Sequence, residues 1–297
     1  MQIHYYQNAD IDFSLWDKCI HNAINPNIYG LSWYLNIVSP EWHGLLTEDY
    51  KAVMPLPLTR KLGKLILVQP PFCWQLGIFS SEILDISLVE TFLLNIPGKI
   101  KINRYNFNKV NTLPVGKYKI KSACTAELEL ISSYEKIRSS YSRFADDKII
   151  TAQQSKIGIV KSIANHDFLQ FAFKFDQFNR NRLKPSQVSF LRQIVSNSIR
   201  YRMGEIYGAY SRENNLCATV FFIKYRDKRI IHYMAADQEG ILSGALYLIL
   251  DRYIYSNAEK NLILSADDPG NSRLIECISS LGGKPYAFAS IKKLIYL

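Results

Sequence analysis

Between Met234 and Leu246 an apolar stretch runs into a loop with two glycines and then into a helical pattern. A strand that feeds such a loop and a helix N-terminus presents backbone N–H groups and the positive end of the helix dipole, which suits a phosphate or a developing oxyanion. Gly240 and Gly244 would let the chain approach a ligand closely, and Ser243 would cap the helix. A plain strand-to-helix turn with glycines fits the same spacing, so both readings stay open at this point. Other chemistries lack their residues: no HExxH, Walker loop, Gly-x-Ser-x-Gly or metal-spaced His/Cys cluster occurs. Cys19, Cys73, Cys124, Cys217 and Cys277 are odd in number, far apart and without a CxxC, so buried free thiols are expected and no metal site is assigned.

The elements that must position this loop read as α+β. Cys217 to Tyr225 and Arg229 to Ala236 form an antiparallel hairpin around Arg226-Asp-Lys, preceded by a short strand from Ile206 to Tyr210. After the loop, Ala245, Leu246, Ile249, Leu250, Tyr253 and Ile254 mark the buried side of a helix. Leu262 to Leu264 is a buried strand, Asn271 or Ser272 caps a helix closed by Gly282-Gly283, and a last strand ends near Tyr296. Upstream, a capping box Ser132-x-x-Glu135 begins a helix through Tyr141 and Phe144, Asp167 opens a Phe-rich helix, and Pro185 to Tyr201 is another. The first hundred residues give helices after Asp12 and Ser32, and a hairpin of Ala52 to Pro57 with Leu65 to Val68. Prolines put the first of those strands at an edge or a bulge. A helix over Leu88 to Ile96 follows, and strict alternation then predicts strands at 99–104, 117–121 and 126–130.

The chain has 297 residues, 48% hydrophobic and 21% charged, which excludes disordered, collagen-like and coiled-coil classes. No apolar run approaches the roughly 18 residues of a membrane helix, and the start shows no export signal, so a cytoplasmic chain with no membrane span is expected. The net charge of +10 is concentrated: residues 99–121 hold seven basic residues and no acid, and residues 174–202 hold seven against Asp176. Such a field attracts phosphates and other anions, although solvated sheet and helix faces explain both stretches without a ligand. A nucleic-acid binder is one reading of this charge, without a recognised base-reading motif.

Residues 206–290 resemble the acyl-transfer half of the GNAT superfamily, through Ala235 to Ala245 for the loop and Asn271-x-x-Leu274 to Gly282 for the last helix. Tyr134 to Ile150 with the Phe-rich helix, Trp33-Tyr34 and Gln69-Pro-Pro-Phe-Cys-Trp-Gln-Leu-Gly are similar to the Fem-type branch. That resemblance implies two tandem GNAT-like units, 1–130 and 131–297, each a mixed, mostly antiparallel sheet flanked by helices. It implies transfer of an acyl or aminoacyl group to a small-molecule or cell-wall-precursor amine, from acetyl-CoA, another acyl-CoA or an aminoacyl-tRNA, with tRNA then a partner. Met234, Ala235 and Ala236 would supply the oxyanion donor at a gap in the sheet, and Gly240, Ser243, Gly244, Ala245 and Asn271 would line the cofactor. His232, Asp237, Asp267 and Asp268 are the ionisable groups nearest the expected opening, and the first three are the catalytic candidates. Two departures stand out. Neither register of the coenzyme A loop fits, since it places Ile241 or Asp237 at the Arg/Gln position, and Ile278 stands where the family often has an acidic tyrosine. A catalytically inactive scaffold that binds without transfer is therefore the alternative.

Overall fold

The computed structural model describes residues 2–114, 116, 118–175 and 183–294. Asp12 follows β1 (Ile3–Gln7) and accepts the amides of Ser14 and Leu15 at 2.8 and 3.1 Å, which opens α1 (Phe13–Asn22) with Trp16, Cys19 and Ile20 buried. α2 (Ser32–Val38) begins where predicted, but Ser32 does not cap it; its amide and hydroxyl both donate to Asp17 at 2.7 Å. β2 (His43–Thr47), β3 (Ala52–Leu56), β4 (Leu58–Lys61), β5 (Lys64–Leu67) and β6 (Phe79–Ser80) follow. The predicted hairpin is displaced, because β5 pairs with β4 while β3 joins a sheet of order β1-β2-β3-β6. Pro55 does not force β3 to an edge, since β6 meets only Ala52 and Val53 and leaves the proline clear of that ladder. α3 (Ile86–Leu94), β7 (Ile100–Ile102) and β8 (Tyr105–Asn106) lead to β9 (Tyr118–Glu129), one 12-residue strand where two were expected.

Contacts divide the chain into Met1–Cys124 with Ala287–Leu297, and Thr125–Tyr286. Against the expected 130/131 boundary, the split falls within β9, and the closing strand completes the first unit.

In the second unit α4 (Tyr134–Arg138) and α5 (Arg143–Gln154) replace the single predicted helix, capped by Ser133 and Ser142 rather than by Ser132. β10 (Gly158–Lys161), which alternation did not reveal, precedes α6 (Asn165–Lys174) and α7 (Pro185–Arg200). Much of the second basic stretch, residues 176–182, lies outside the described residues, as do Lys117 of the first and Tyr296. Then come β11 (Gly204–Tyr210), β12 (Leu216–Tyr225), β13 (Lys228–Ala236), α8 (Gln238–Ser243), α9 (Ala245–Asn257), β14 (Ile263–Ala266), α10 (Ser272–Ser280) and β15 (Lys284–Leu294). The strands lie in the order β10-β11-β12-β13-β14 and then β9, all antiparallel except β13 with β14. α5, α9 and α10 share one face, where Ile149, Ile249, Phe222 and Ile231 belong to one buried cluster and Phe222 stacks on Tyr253 at 3.8 Å. α6 covers the other face, with Phe168 against Phe221 and Tyr233. Asp251 ties α4 and the connection after it to α9 by accepting from Tyr134 (2.8 Å), Tyr141 (3.2 Å) and Arg138 (3.3 Å). No helix among the described residues is long and apolar enough to cross a membrane.

Candidate active site

The sheet of the second unit opens between its two parallel strands. β13 pairs with β14 only at Lys228–Ile263, Arg229–Leu264 and Ile230–Ser265, so Ile231 to Ala236 run on past the last rung. Two causes are local. β14 is only four residues long, and β13 carries a bulge: Phe221 pairs with Tyr233 and Phe222 with Ile231, leaving His232 as the extra residue. The bulge puts His232 edge-on to Phe221 at 5.5 Å while Ile231 and Met234 stay in the α9-side core.

Along the opened edge, Asp237 donates its amide to Cys217 O at 3.0 Å. Antiparallel alternation then points the Ala235 N–H at β12 and the Met234 and Ala236 N–H groups toward β14's side, the direction an oxyanion donor in this gap requires. Past the last rung, His232 of β13 and Asp267, which follows β14, are both buried, at 3% and 0% exposure. Burial pulls the His232 imidazole down to about 3, which leaves it neutral at physiological pH and a weak base. Asp267 accepts hydrogen bonds from Ser265 Oγ and from Tyr286 OH, the latter at 3.3 Å. Nearby, Lys228 Nζ lies 2.9 Å from Glu127 Oε1. Burial acts to lower the Lys228 ammonium's pKa, but the charges of Asp267 and Glu127 outweigh it and the net shift is upward.

Asp237 sits elsewhere, at the C-terminal end of β13, where its Oδ1 accepts the Gly240 amide at 2.8 Å and caps α8. It also lines a cavity of about 500 Å³ with Asp167, Lys174, Phe171, Phe175 and Tyr210. The lining carries two carboxylates against one ammonium, a balance that suits a cationic amine.

The glycine loop is not the open cradle predicted. Six of its residues form α8, and its amides are engaged: Gly240 N by Asp237, Ile241 N by Asp237 O at 3.0 Å, and Gly244 N by Gly240 O. Ser243 does not cap α9; its hydroxyl donates to Gly240 O at 3.4 Å, and Gly244 is the N-cap. The glycines admit backbone rather than ligand. A Cβ on Gly240 would lie 2.1 Å from Cys217 O, and one on Gly244, at φ +78°, 2.5 Å from Lys148 O. Ala245 is fully buried behind them. Asn271 caps α10 by accepting the Leu274 amide at 3.1 Å, and Asp268 accepts the Gly270 amide at 2.8 Å in the approach to it. The Gly240, Ile241 and Gly244 amides of this loop are thus committed within the protein.

Sequence reasoning missed Lys228, Glu127, Ser265 and Tyr286, which surround Asp267. It also missed Tyr247 of α9, whose hydroxyl bonds Cys277 and Ser280 of α10 and whose pKa burial pushes up.

With this geometry in place, the class of fold is clear: α+β, in two tandem GNAT-like units. No family model matches the chain, and no curated protein does. Among solved structures it is similar to FemX, with a TM-score of 0.62 and 9% identity over 97% of each chain. It is also similar to a tandem GNAT protein from the clavulanic acid biosynthesis pathway (TM-score 0.55, 12% identity, 99% of this chain and 98% of that one). A third likeness is to L-PGS from Bacillus licheniformis (TM-score 0.54, 11% identity, 95% and 92%). Identities this low speak for the fold alone.

Proposed function

We propose that this chain is an N-acyltransferase in which the donor carbonyl lies in the gap between β13 and β14. The three-rung pairing of those strands supports the reading, because beyond Ile230 the β13 edge has no β14 rung and lies next to the strand that leads to a buried carboxylate, Asp267. In this mechanism an acceptor amine enters from the cavity beside Asp237, where the acidic lining favours its ammonium form until it loses a proton. Its nitrogen attacks the carbonyl, a C–N bond forms, and the negative charge on oxygen is held by β13 amides. Asp267, reached directly or through one water, takes the amine proton; His232 is too weak a base for the task. The donor's C–O bond then breaks, and its oxygen leaves with the proton that Asp267 took from the amine and now returns.

The engaged Gly240, Ile241 and Gly244 amides weigh against coenzyme A at this loop, and the donor proposed is an aminoacyl-tRNA, as in the Fem-type branch that the sequence resembles. The acceptor class proposed is a small or cell-wall-precursor amine, the site is cytoplasmic, and the second unit carries the transfer. One observation favours an inactive scaffold instead: Ile278, fully buried, offers no proton where a family tyrosine would.

The test is to incubate the full chain with charged tRNA, or with acetyl-CoA, and a panel of primary amines, amino sugars and lysine-containing peptides, and to weigh the products. Amide formation from charged tRNA alone is expected, falling about 100-fold in Asp267→Asn. Acetylated product would overturn the donor assignment, and silence with both donors would leave the inactive scaffold.

A further inference from the structure

On the α9 side of the second unit, away from the gap, β10 and the C-terminal half of α9 enclose a groove of about 630 Å³. Among the described residues the only charged ones in its lining are two cations, Lys161 and Arg252. Their charge is unmatched for an identifiable reason. Asp251, the carboxylate next in sequence to Arg252, is turned inward and consumed by Tyr134, Tyr141 and Arg138. From residue 149 to residue 166 the chain has no acid at all, but has Lys156 and Lys161. Neither Lys161 nor Arg252 pairs with a carboxylate among the described residues; Lys161 Nζ bonds Ser256 Oγ at 3.1 Å and lies 5.7 Å from the Tyr207 ring centroid. Arg252 lies 5.9 Å from the centroid of Tyr255, which is 56% exposed and makes an edge contact with Tyr134 at 5.0 Å.

Two unpaired cations select an anion, and an Arg guanidinium matches the oxygens of a phosphate in a two-pronged way. The volume is several times what a lone phosphate ion fills. An exposed aromatic ring beside the guanidinium supplies a surface for a second planar group, and stacking of a base on such a ring is worth about 1–3 kcal/mol. We propose that this groove is a second binding site, for a nucleotide: Arg252 and Lys161 take the phosphate, Gln153 and Ser256 line its polar wall, and Tyr255 receives the base. A free nucleotide and the end of an RNA strand share this chemistry. The site stands apart from the transfer reading, since none of its residues belongs to the gap, and its test is read by binding rather than turnover.

Calorimetric titration of the full chain at low salt with ADP, with inorganic phosphate and with a five-nucleotide RNA decides the matter. ADP should bind more tightly than phosphate. Arg252→Gln and Lys161→Gln should each weaken ADP about tenfold, a loss of ~1.4 kcal/mol. Tyr255→Ala should weaken ADP by a similar factor while leaving phosphate unchanged. All three side chains are exposed, so folding is retained, and Lys156→Gln, outside the groove's lining, should leave ADP affinity unchanged. RNA that binds tighter than ADP and is displaced by it identifies a strand end as the source; ADP binding without RNA binding identifies the free nucleotide. Absence of ADP binding, or ADP binding indifferent to both Arg252→Gln and Lys161→Gln, overturns the site.

Discussion

His232 shows how one buried side chain sets a pH limit on the whole second unit. An unfolded histidine titrates near 6.5, whereas this one stays neutral until about 3. Above 6.5 both states hold it uncharged, and its contribution to stability does not change with pH. Between 6.5 and 3 the unfolded chain binds a proton that the folded chain refuses, so stability falls through that window by up to about 1.4 kcal/mol per pH unit. We expect urea midpoints to drop from pH 6.5 to pH 4, with a shallower slope in His232→Gln. Equal slopes would show that the imidazole reaches solvent in the folded protein. The same residue marks the limit of sequence reading at this scale. His232 and Asp267 were legible as candidates because a strand order placed them near one opening. Glu127 was not: alternation assigns it to the wet face of its strand, whereas Lys228, the first residue of β13 and 101 positions away, pairs with it there. Long-range charge pairs of this kind leave no periodic trace.

At the scale of elements, the two glycines that suggested a ligand loop instead fasten α8 and α9 to their neighbours. Spacing could not distinguish these roles, because a glycine that admits a phosphate and one that admits another backbone look the same in a sequence. Replacing Gly244 by Ala would force a side chain at φ +78° and bring its Cβ within 2.5 Å of Lys148 O. A loss of about 1 to 3 kcal/mol is expected in chemical denaturation, with α5 and α9 separating earliest in hydrogen exchange. A neutral effect would mean that this junction is open enough to hold a ligand after all. Elements with strong periodicity came through well: the β12–β13 hairpin, α7, α9 and α10 all lie within a residue or two of where the sequence puts them. What failed were short or interrupted elements. β10 is only four residues, the helix over 134–144 breaks between Arg138 and Arg143, and β3 and β4 abut with one residue, Pro57, between them. Each of these boundaries is set by tertiary pairing rather than by local propensity.

At the scale of the whole molecule, the two GNAT-like units are not two consecutive pieces of chain. β15 returns to the first unit, where Ser290 pairs with Asn106 and Ile291 with Tyr105, and Phe107 donates its amide to Ala289 O at 2.8 Å. Phe288 and Ile291 are buried there along with Tyr105 and Phe107. Ending the chain after Tyr286 should therefore cost the first unit its cooperative melting while the second unit keeps its own, which calorimetry with limited proteolysis would report. Two intact transitions in that shortened chain would show the returning strand to be dispensable. The arrangement also orders events on the ribosome. Residues 287–294 are synthesised after everything in the second unit, so the first unit stays one strand short until the second has emerged. An incomplete nascent product thus lacks the strand that covers Tyr105 and Phe107, and leaves those rings exposed.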